Sequence, residues 1–448
     1  MTQEKALEFL KSGRNVFLTG SAGTGKTYVL NQFIQHLKDA KIEVAVTAST
    51  GIAATHILGV TIHSWAGMGI KQKIAEKDLV YLKKQKAIRD KFNKTKVLII
   101  DEISMLHKDQ LNSIHHILSY CMDSNAAFGG IQIVLCGDFF QLPPIGDYGE
   151  KSRDKFAFMS DAWQFGDLVI CYLTEQFRQT NNQLTDILGE IRLGSVSQQS
   201  IDLLNSAQKT KFEEGIEPTM LYTHNRDVDF INNEHLAKLP GKSRFFKAKT
   251  KGEKALTDLL KRSVLTQDDM ALRIGAKVMF VKNNPDKEFI NGTLGEIIDY
   301  TSMGFPLVKT LDGNKITAST EEWTITNENG QAVASYQQIP LRLAWAITVH
   351  KSQGMTLDAA ELDLSKTFER GQGYVALSRL RNLERLRLMG FNSTALQVDG
   401  LALKADHRFQ ELSDLNDEKF TPEELIEESK IFIRKSGGRV LKKADTGK

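Results

Sequence analysis

The chain has 448 residues, of which 41% are hydrophobic and 25% are charged, a balance typical of globular proteins with two or three domains. No stretch approaches the roughly 18 consecutive apolar residues of a membrane span, and three cysteines without a CxxC pair indicate neither a disulfide framework nor a zinc site. The net charge is only +3, so a surface that binds a polyanion must be a local groove. The N-terminus has no basic-then-apolar pattern, which predicts a bacterial cytoplasmic protein without a targeting peptide.

Apolar runs alternate with helical patterns through the first 172 residues. The predicted strands are residues 15–19, 42–47, 97–100, 131–135 and 168–173, and the first long helix is residues 26–37. This order predicts a parallel sheet with helices on both faces. A lysine-rich segment at residues 71–96 interrupts the pattern, and it fits equally a solvated helical insertion and a basic element near nucleic acid.

The second half begins as another α/β pattern and then changes. Residues 184–191 have helical spacing, residues 220–223 form a predicted strand, and residues 225–239 form a predicted helix. Short β-like runs separated by turn dipeptides then predict an inserted antiparallel module. The predicted domains are residues 1–172 (with an insertion at about 68–95), residues 173–239 with 340–435, the inserted module at 240–339, and a disordered tail at 436–448.

A phosphate-binding pattern, GxxxxGK[ST], stands between the first predicted strand and helix, which is the context that the pattern requires. Its glycines allow backbone N–H groups to converge on phosphate oxygens, and the helix N-terminus adds positive potential. Lys26 is predicted to contact the β- and γ-phosphates and Thr27 to bind Mg²⁺. The alternative is a chance glycine turn. The residues predicted to bind the nucleotide here are Gly20, Ser21, Ala22, Gly23, Thr24, Gly25, Lys26 and Thr27.

Two carboxylates follow the apolar run at residues 97–100, at the strand end where α/β sheets bind ligands. Asp101 is predicted to hold Mg²⁺ and Glu102 to orient and polarise the attacking water. An isolated Asp-Glu pair is more often a solvated strand end, but the pair gains significance downstream of Lys26. Together these residues predict nucleotide hydrolysis without identifying the class of enzyme, since kinases, GTPases and motor proteins share them.

Further sequence blocks are TASTGIAAT (47–55), TIHSWAG (61–67), DEISM (101–105), GDFFQLPP (137–144), LTEQFRQ (173–179), AITVHKSQGMTLD (346–358) and GQGYVALSR (371–379). Their order resembles that of the motifs of superfamily 1 helicases. The chain resembles the Pif family, in the 5′-to-3′ branch that includes RecD-like enzymes, over about residues 2–390. One departure is Ala127, which stands where the insertion of this family usually has the proline of PFGGIQ.

The resemblance implies two RecA-like P-loop domains that bind ATP and Mg²⁺ between them, with a small inserted β-barrel-like module. It assigns Gln3 to adenine recognition, Gln141 to sensing the γ-phosphate, and Gly354 to the ATP site. Arg178 and Arg379 are candidate arginine fingers, because a guanidinium that reaches the transferring phosphoryl group stabilises its charge. Alone, each arginine is more often a surface ion pair. The predicted catalytic residues are Lys26, Glu102, Gln141, Arg178 and Arg379.

Hydroxyl, amide and imidazole groups in these blocks can position a phosphate backbone without reading its sequence. Trp65 fits equally a base-stacking residue and a core residue, and the histidines fit capping or core positions as well as contacts. The predicted DNA contacts are Thr50, Gly51, Thr61, His63, Ser64, Trp65, Thr223, His224, Asn225, Thr348, His350 and Lys351. The expected partners are single-stranded DNA and forked or tailed duplex in the nucleoid. We expect no membrane partner, and a monomer, with a dimer on DNA as the alternative.

The resemblance therefore predicts an ATP-dependent DNA helicase that moves 5′-to-3′ on single-stranded DNA and unwinds duplex, and G-quadruplexes and RNA–DNA hybrids are further substrates handled within the family. The insertion at 68–95 and the β-module are the candidate wedge. Two alternatives stay open: a DNA-stimulated ATPase that remodels nucleoprotein complexes without processive unwinding, and a small-molecule P-loop kinase. The kinase alternative leaves the second α/β domain unexplained.

Overall fold

The computed structural model describes residues 1–57, 59–69, 71–146, 149–177, 183–212, 218–264, 266–282, 284, 289, 292–310, 313–326, 332–357 and 359–440. The chain forms two compact units, Met1–Glu214 with Gln353–Asp358 and Leu364–Lys448, and Gly215–Ser352 with Ala359–Asp363. Residues 364–440, most of which the sequence analysis assigns to the second domain, thus lie in the first unit. The domain boundaries inferred from the sequence stay predictions.

The strands are β1 (Val16–Gly20), β2 (Val44–Ala48), β3 (Val60–Thr61), β4 (Val97–Asp101), β5 (Gln132–Cys136), β6 (Val169–Leu173), β7 (Thr219–Tyr222), β8 (Arg244–Lys247), β9 (Lys249–Gly252), β10 (Asp269–Leu272), β11 (Lys277–Phe280), β12 (Leu294–Tyr300), β13 (Pro306–Thr310), β14 (Lys315–Thr317), β15 (Glu321–Thr326), β16 (Ala332–Gln338), β17 (Leu341–Leu343), β18 (Ala346–Thr348), β19 (Ala360–Leu364) and β20 (Leu386–Phe391).

The helices are α1 (Gln3–Lys11), α2 (Lys26–Asp39), α3 (Gly51–His56), α4 (Ile62–Ala66), α5 (Glu76–Lys84), α6 (Lys86–Lys94), α7 (Lys108–Cys121), α8 (Ser152–Lys155), α9 (Asp161–Phe165), α10 (Gln183–Leu193), α11 (Gln198–Ser206), α12 (Asn225–Lys238), α13 (Lys254–Ser263), α14 (Gln372–Leu377), α15 (Gly400–Lys419) and α16 (Pro422–Lys435). Within these described elements no helix is both long and apolar enough to cross a bilayer.

The first unit is built on a six-stranded parallel sheet in the order β3-β2-β4-β5-β1-β6. Strands β1, β4, β5 and β6 are buried at every residue. Their sequences are nearly continuous apolar runs because helices cover both faces of the sheet. Successive side chains enter opposite cores: Phe17 packs with Phe409 of α15 on one side, and Leu18 belongs to the core with α1 and α2 on the other.

The lysine-rich segment folds as α5 and α6, whose apolar residues Leu82 and Phe92 enter the core of the first unit. Several of its lysines form ion pairs, such as Lys73 with Asp109 at 3.1 Å. The helical insertion is therefore present, and its placement near nucleic acid stays a prediction.

The second unit contains a smaller parallel sheet and the inserted module. Strand β7 lies between β18 and β19, and Tyr222 is the register partner of Thr348. The module consists of antiparallel sheets: β14-β13-β12-β11-β17, β15-β16-β9 and the pair β10-β8. Its antiparallel character is as predicted. The barrel-like closure is corrected, since within the described strands β14 and β17 are the unjoined ends of an open five-stranded sheet.

The two parallel α/β sheets confirm the predicted fold class of two RecA-like P-loop domains. The observed strands and helices agree with the predicted ones to within a few residues. At the chain end, residues 436–440 of the predicted tail are described, and the Arg439 N–H donates to the Ala40 carbonyl at 2.7 Å. The remaining tail, residues 441–448, lies outside the described residues.

Candidate nucleotide-binding active site

The P-loop joins the buried end of β1 to the start of α2, as the pattern predicts. Gly20, Gly23 and Gly25 have φ angles of +143°, +93° and +81°, a region that side-chain-bearing residues rarely adopt. A Cβ on Gly25 would lie 2.1 Å from the Gln3 Nε2 atom. That Nε2 donates to the Thr24 carbonyl at 3.0 Å, so the structure brings Gln3 directly onto the loop.

Lys26 is the first residue of α2, and its ammonium lies inside the loop. Its Nζ donates to the carbonyls of Gly20 and Ser21 at 2.8 and 2.9 Å. Burial lowers the pKa of Lys26, and the nearby Asp138 carboxylate opposes that shift. The ammonium is thus held in place by groups that a phosphate oxygen can replace.

Asp101 and Glu102 end the buried strand β4. Burial raises the pKa of Asp101, and burial together with the Asp101 carboxylate raises the pKa of Glu102 to about 7. Glu102 has φ +50°, an uncommon left-handed conformation for a residue with a side chain. The Ser49 hydroxyl donates to its backbone carbonyl at 2.7 Å and Gln353 Nε2 donates to its carboxylate at 3.0 Å, so the residue is held at both its backbone and its side chain.

A cavity of about 380 Å³ contains the predicted catalytic residues that are described. Its lining is Ala22, Gly23, Gly25, Lys26, Thr27, Glu102, Gln141, Phe177, Gly354, Thr356, Arg379 and Arg381, all in the first unit. The Gln141 Oε1 and Gln353 Oε1 atoms are buried without a hydrogen-bond partner among the described residues. Gln141 lines the cavity, so its oxygen fits a donor such as a water molecule that completes its hydrogen bond.

Arg379 reaches this cavity from a buried position just after α14. Only 2% of it is exposed, and its guanidinium donates to the carbonyls of Val375 and Met355 at 2.9 and 3.2 Å. Its charge also lowers the pKa of Glu102, against the larger effect of burial. The structure therefore places Arg379 beside Lys26 and Glu102. The other candidate finger, Arg178, lies outside the described residues.

The oxygen donors suit a magnesium nucleotide. Thr27, a hydroxyl-bearing residue, lines the cavity, and Asp101, a carboxylate, is the last residue of β4 and precedes Glu102. Hydroxyl and carboxylate oxygens are ligands that Mg²⁺ prefers, with phosphate oxygens and water completing its shell. The donor set thus fits the group that the P-loop implies.

Several site residues escaped the sequence analysis. Gln353 holds Glu102, and Phe177 is an aromatic ring at the cavity that is 58% exposed. Gln353 precedes Gly354 and Phe177 precedes Arg178, so their positions inside the motif blocks are the sequence signal that could have identified them. Arg192 is different: it lies in no block, yet its guanidinium donates to both oxygens of the buried Asp138 at 2.9 Å.

The predicted DNA contacts of the first unit lie where β2 and β3 end. Thr50 precedes α3 and accepts from the Ala53 N–H at 3.2 Å, while Thr61 caps α4 by accepting from the Ser64 N–H at 3.3 Å. Gly51 and Ser64 are exposed, and burial lowers the pKa of the partly buried His63. Trp65 is corrected to a core residue, since it is 8% exposed and packs on Phe92 with ring centroids 5.0 Å apart. Most of the surface of this ring is therefore used in core packing.

The predicted contacts of the second unit follow β7 and β18, which are parallel neighbours. Thr223 and Thr348 are buried, whereas His224 and Asn225 are exposed at the start of α12. Burial lowers the pKa of His350 and lowers that of Lys351 to about 8. These groups therefore lie at one edge of this sheet, and their contact with DNA stays a prediction.

Comparisons with known proteins agree with this geometry. Residues 3–200 match the family model PIF1-like helicase. The ATP-dependent DNA helicase Pif1 of Psychrobacter sp. is 46% identical over 99% of this chain and 76% of its own length. The Pif1 helicase of Candida albicans is 36% identical, with a TM-score of 0.84 over 91% of this chain and 98% of that one.

The Bacteroides Pif1 structure solved with ADP-AlF3 and ssDNA is 32% identical, with a TM-score of 0.77 over 91% of this chain and 96% of that one. The chain spans 61–64% of the length of the vertebrate relatives that it matches.

A P-loop lysine, a glutamate, a glutamine and a buried arginine around one cavity define a nucleotide-hydrolysing P-loop enzyme. The Psychrobacter relative is 46% identical and is matched over 76% of its length, so the chain belongs to the PIF1-like helicase family. It is accordingly an ATP-hydrolysing helicase, as the motif blocks predict.

Proposed function

We propose that this chain moves 5′-to-3′ along single-stranded DNA and unwinds the duplex ahead of it, using ATP hydrolysed in the cavity around Lys26. The observation that carries the proposal is the gathering of Lys26, Glu102, Gln141 and Arg379 around one cavity. The 5′-to-3′ direction rests on the resemblance of the motif blocks to the Pif family.

In the proposed hydrolysis step, Lys26 leaves the Gly20 and Ser21 carbonyls for the terminal phosphates of ATP. Thr27 and Asp101 would hold Mg²⁺, which would neutralise charge on the phosphate oxygens. Glu102 accepts a proton from the attacking water, and Gln353 keeps the carboxylate oriented. Arg379 and Gln141 stabilise the charge that develops on the transferring phosphoryl group, and Arg178 is proposed as the second arginine finger.

The ends of the nucleotide pocket suggest how the base is held. The Phe177 N–H donates to the Gly23 carbonyl at 3.1 Å, which places an exposed ring beside the P-loop, near Gln3. A flat apolar face and an amide are together suited to an adenine base, which offers a π-face and hydrogen-bonding edges. We therefore assign Gln3 and Phe177 to base binding.

The DNA surface is proposed to consist of the sheet-edge groups in each unit. The exposed residues Gly51, Ser64, His224 and Asn225, with Lys351, offer small, polar or charged groups to a phosphate backbone. Movement requires that the affinity of these groups for DNA differ between the ATP-bound and ATP-free states, because a ligand shifts an equilibrium only through its differential affinity for the two states. The α5–α6 insertion and the β-module remain the proposed wedge.

The test compares unwinding of duplexes that carry a 5′ tail, a 3′ tail or no tail, with ATP and Mg²⁺. Strand separation is expected only with the 5′ tail, and Lys26→Ala is the matched control because it removes the phosphate contact. A strict requirement for a 3′ tail would reject the direction. ATP turnover that DNA stimulates without separation of any duplex would favour the remodelling ATPase. G-quadruplex and RNA–DNA substrates with a 5′ tail extend the assay to the proposed further substrates.

A further inference from the structure

A buried ionic cluster lies beside the nucleotide cavity, in the first unit. Arg192 donates through Nη1 to both carboxylate oxygens of Asp138 at 2.9 Å, and through Nη2 to the Tyr172 hydroxyl at 2.7 Å and to Asp406 at 3.2 Å. Asp138 is 1% exposed and Arg192 is 9% exposed. Buried charges of this kind are costly unless they are fully paired, so an arrangement with this many bonds is tightly constrained.

The Tyr374 hydroxyl connects this cluster to the P-loop. It donates to the Asp138 carboxylate at 3.2 Å and accepts from Arg192 Nη1 at 3.0 Å and from the Ala22 N–H at 3.1 Å. One donor and two acceptor positions exhaust the capacity of a phenol. Ala22 lines the nucleotide cavity, so the hydroxyl holds one backbone amide of the phosphate-binding loop.

The same cluster anchors the turn that carries Gln141. The Asp138 carboxylate accepts from the Phe140 N–H at 3.1 Å, and the Asp138 carbonyl accepts from the Gln141 N–H at 3.0 Å. The helix that carries Tyr374 is packed on this turn, because a Cβ on Gly371 would lie 2.7 Å from the carbonyls of Phe140 and Gln141. The Asp138 carboxylate thus bonds directly to the Gln141 turn and to Tyr374 of α14, and through the Tyr374 hydroxyl it is connected to the P-loop.

We propose that Tyr374, held by Arg192 and Asp138, is a positioning residue of the nucleotide site, which fixes the Ala22 amide and the Gln141 turn relative to each other. The proposal rests on ATP hydrolysis in this cavity and adds residues that set its shape. Two further observations support it. The Asp138 carboxylate raises the pKa of the buried Lys26, against the larger effect of burial. The guanidinium of Arg192 lies 4.2 Å from the Phe140 ring centroid and so packs against the same turn.

The test compares two substitutions that each remove one hydroxyl from the Arg192 cluster. Tyr374→Phe deletes the acceptor of the Ala22 N–H, while Tyr172→Phe deletes a hydroxyl that contacts Arg192, Asp406 and Gln410 but not the P-loop. Both keep a ring in a buried position, so similar changes in melting temperature are expected. The affinity for a fluorescent ADP and the KM and kcat of ATP turnover are then measured for each variant.

We expect Tyr374→Phe to weaken ADP binding and raise the KM for ATP by about 3- to 10-fold, the range of one hydrogen bond, and Tyr172→Phe to leave both close to wild type. Arg192→Lys is the second variant: its side chain is shorter, and its single nitrogen cannot replace both Nη1, which contacts Asp138 and Tyr374, and Nη2, which contacts Tyr172 and Asp406, so a similar loss of affinity is expected. Equal loss of affinity in Tyr172→Phe and Tyr374→Phe, in proportion to lost stability, would overturn the proposal. So would wild-type affinity in Tyr374→Phe or in Arg192→Lys. Nucleotide affinity is measured without DNA, so this test can be interpreted even if the chain does not unwind duplex.

Discussion

At the scale of single residues, the site depends on ionisable groups that burial has moved from their ordinary pKa values. Lys26 and Glu102 are the two that contact or activate reacting atoms in the proposed step. Burial disfavours the charged form of each, and neighbouring opposite charges partly restore it. Function therefore depends on local desolvation as much as on residue identity.

Glu102 should make ATP turnover depend on pH. Its pKa of about 7 means that the carboxylate, the form that accepts a proton from water, appears only as the pH rises through 7. We expect kcat to increase across this range with an inflection near pH 7. Glu102→Gln should remove the inflection and nearly all turnover while ADP still binds, and Glu411→Gln on the exposed side of α15 is the control. A flat wild-type profile between pH 6 and pH 8 would contradict the assignment.

The raised pKa of Glu102 also affects the free energy of unfolding, which falls as the pH rises, whereas ATP turnover increases. The folded protein binds the Glu102 proton more tightly than the unfolded chain does, so this group loses stabilising effect as the pH rises from about 4.5 to about 7. Glu102→Gln should reduce that part of the pH dependence in chemical denaturation measurements.

At the scale of elements, short connections place the chemistry because glycines permit close backbone contacts. The strand β1 ends at Gly20, in the P-loop, and α14 begins after Gly371, whose φ is +88°. A Cβ would lie 2.6 Å from a backbone carbonyl oxygen at Gly20 and 2.7 Å from two of them at Gly371. The helix that leads to Arg379 is thereby seated directly on the turn that carries Gln141.

Gly371→Ala should therefore damage both stability and activity. The left-handed backbone and the two carbonyls 2.7 Å from the new Cβ predict a loss of about 1–3 kcal/mol in the free energy of unfolding, and a lower kcat. Gly400→Ala is the control, since a Cβ there meets no atom within 4 Å and the residue begins α15. Denaturant unfolding and ATP turnover measure the two effects. Wild-type behaviour of Gly371→Ala would show that α14 does not depend on this close contact.

At the scale of the whole molecule, the nucleotide cavity belongs to the first unit, whereas the predicted DNA contacts are shared between both units. Lys351 is the charged member of that predicted set, and it lies in the second unit. A chain with a net charge of +3 must rely on such local charges to attract a polyanion.

Binding of single-stranded DNA should weaken as Lys351 loses its proton. Burial, with a smaller effect from Arg342 that Asp229 opposes, lowers the pKa of Lys351 to about 8. The ammonium is present at pH 7 and is lost as the pH rises through 8, so a several-fold loss of affinity is expected between pH 7 and pH 9. Lys351→Arg keeps its charge throughout and should flatten this dependence in fluorescence anisotropy titrations. Identical pH profiles for the two proteins would remove Lys351 from the DNA surface.

The sequence by itself determined the parallel sheets, the P-loop, the Asp101–Glu102 pair and the family, because these depend on local periodicity and on residues adjacent in the chain. It also selected Arg379, which the fold brings to the cavity. Tertiary structure alone decided that Trp65 is a core residue, since one amphipathic ring fits both alternatives until its neighbours are known. It alone revealed the cluster of Asp138, Arg192 and Tyr374, because these side chains come from distant segments and acquire their roles only when packing removes water and leaves them one another as partners.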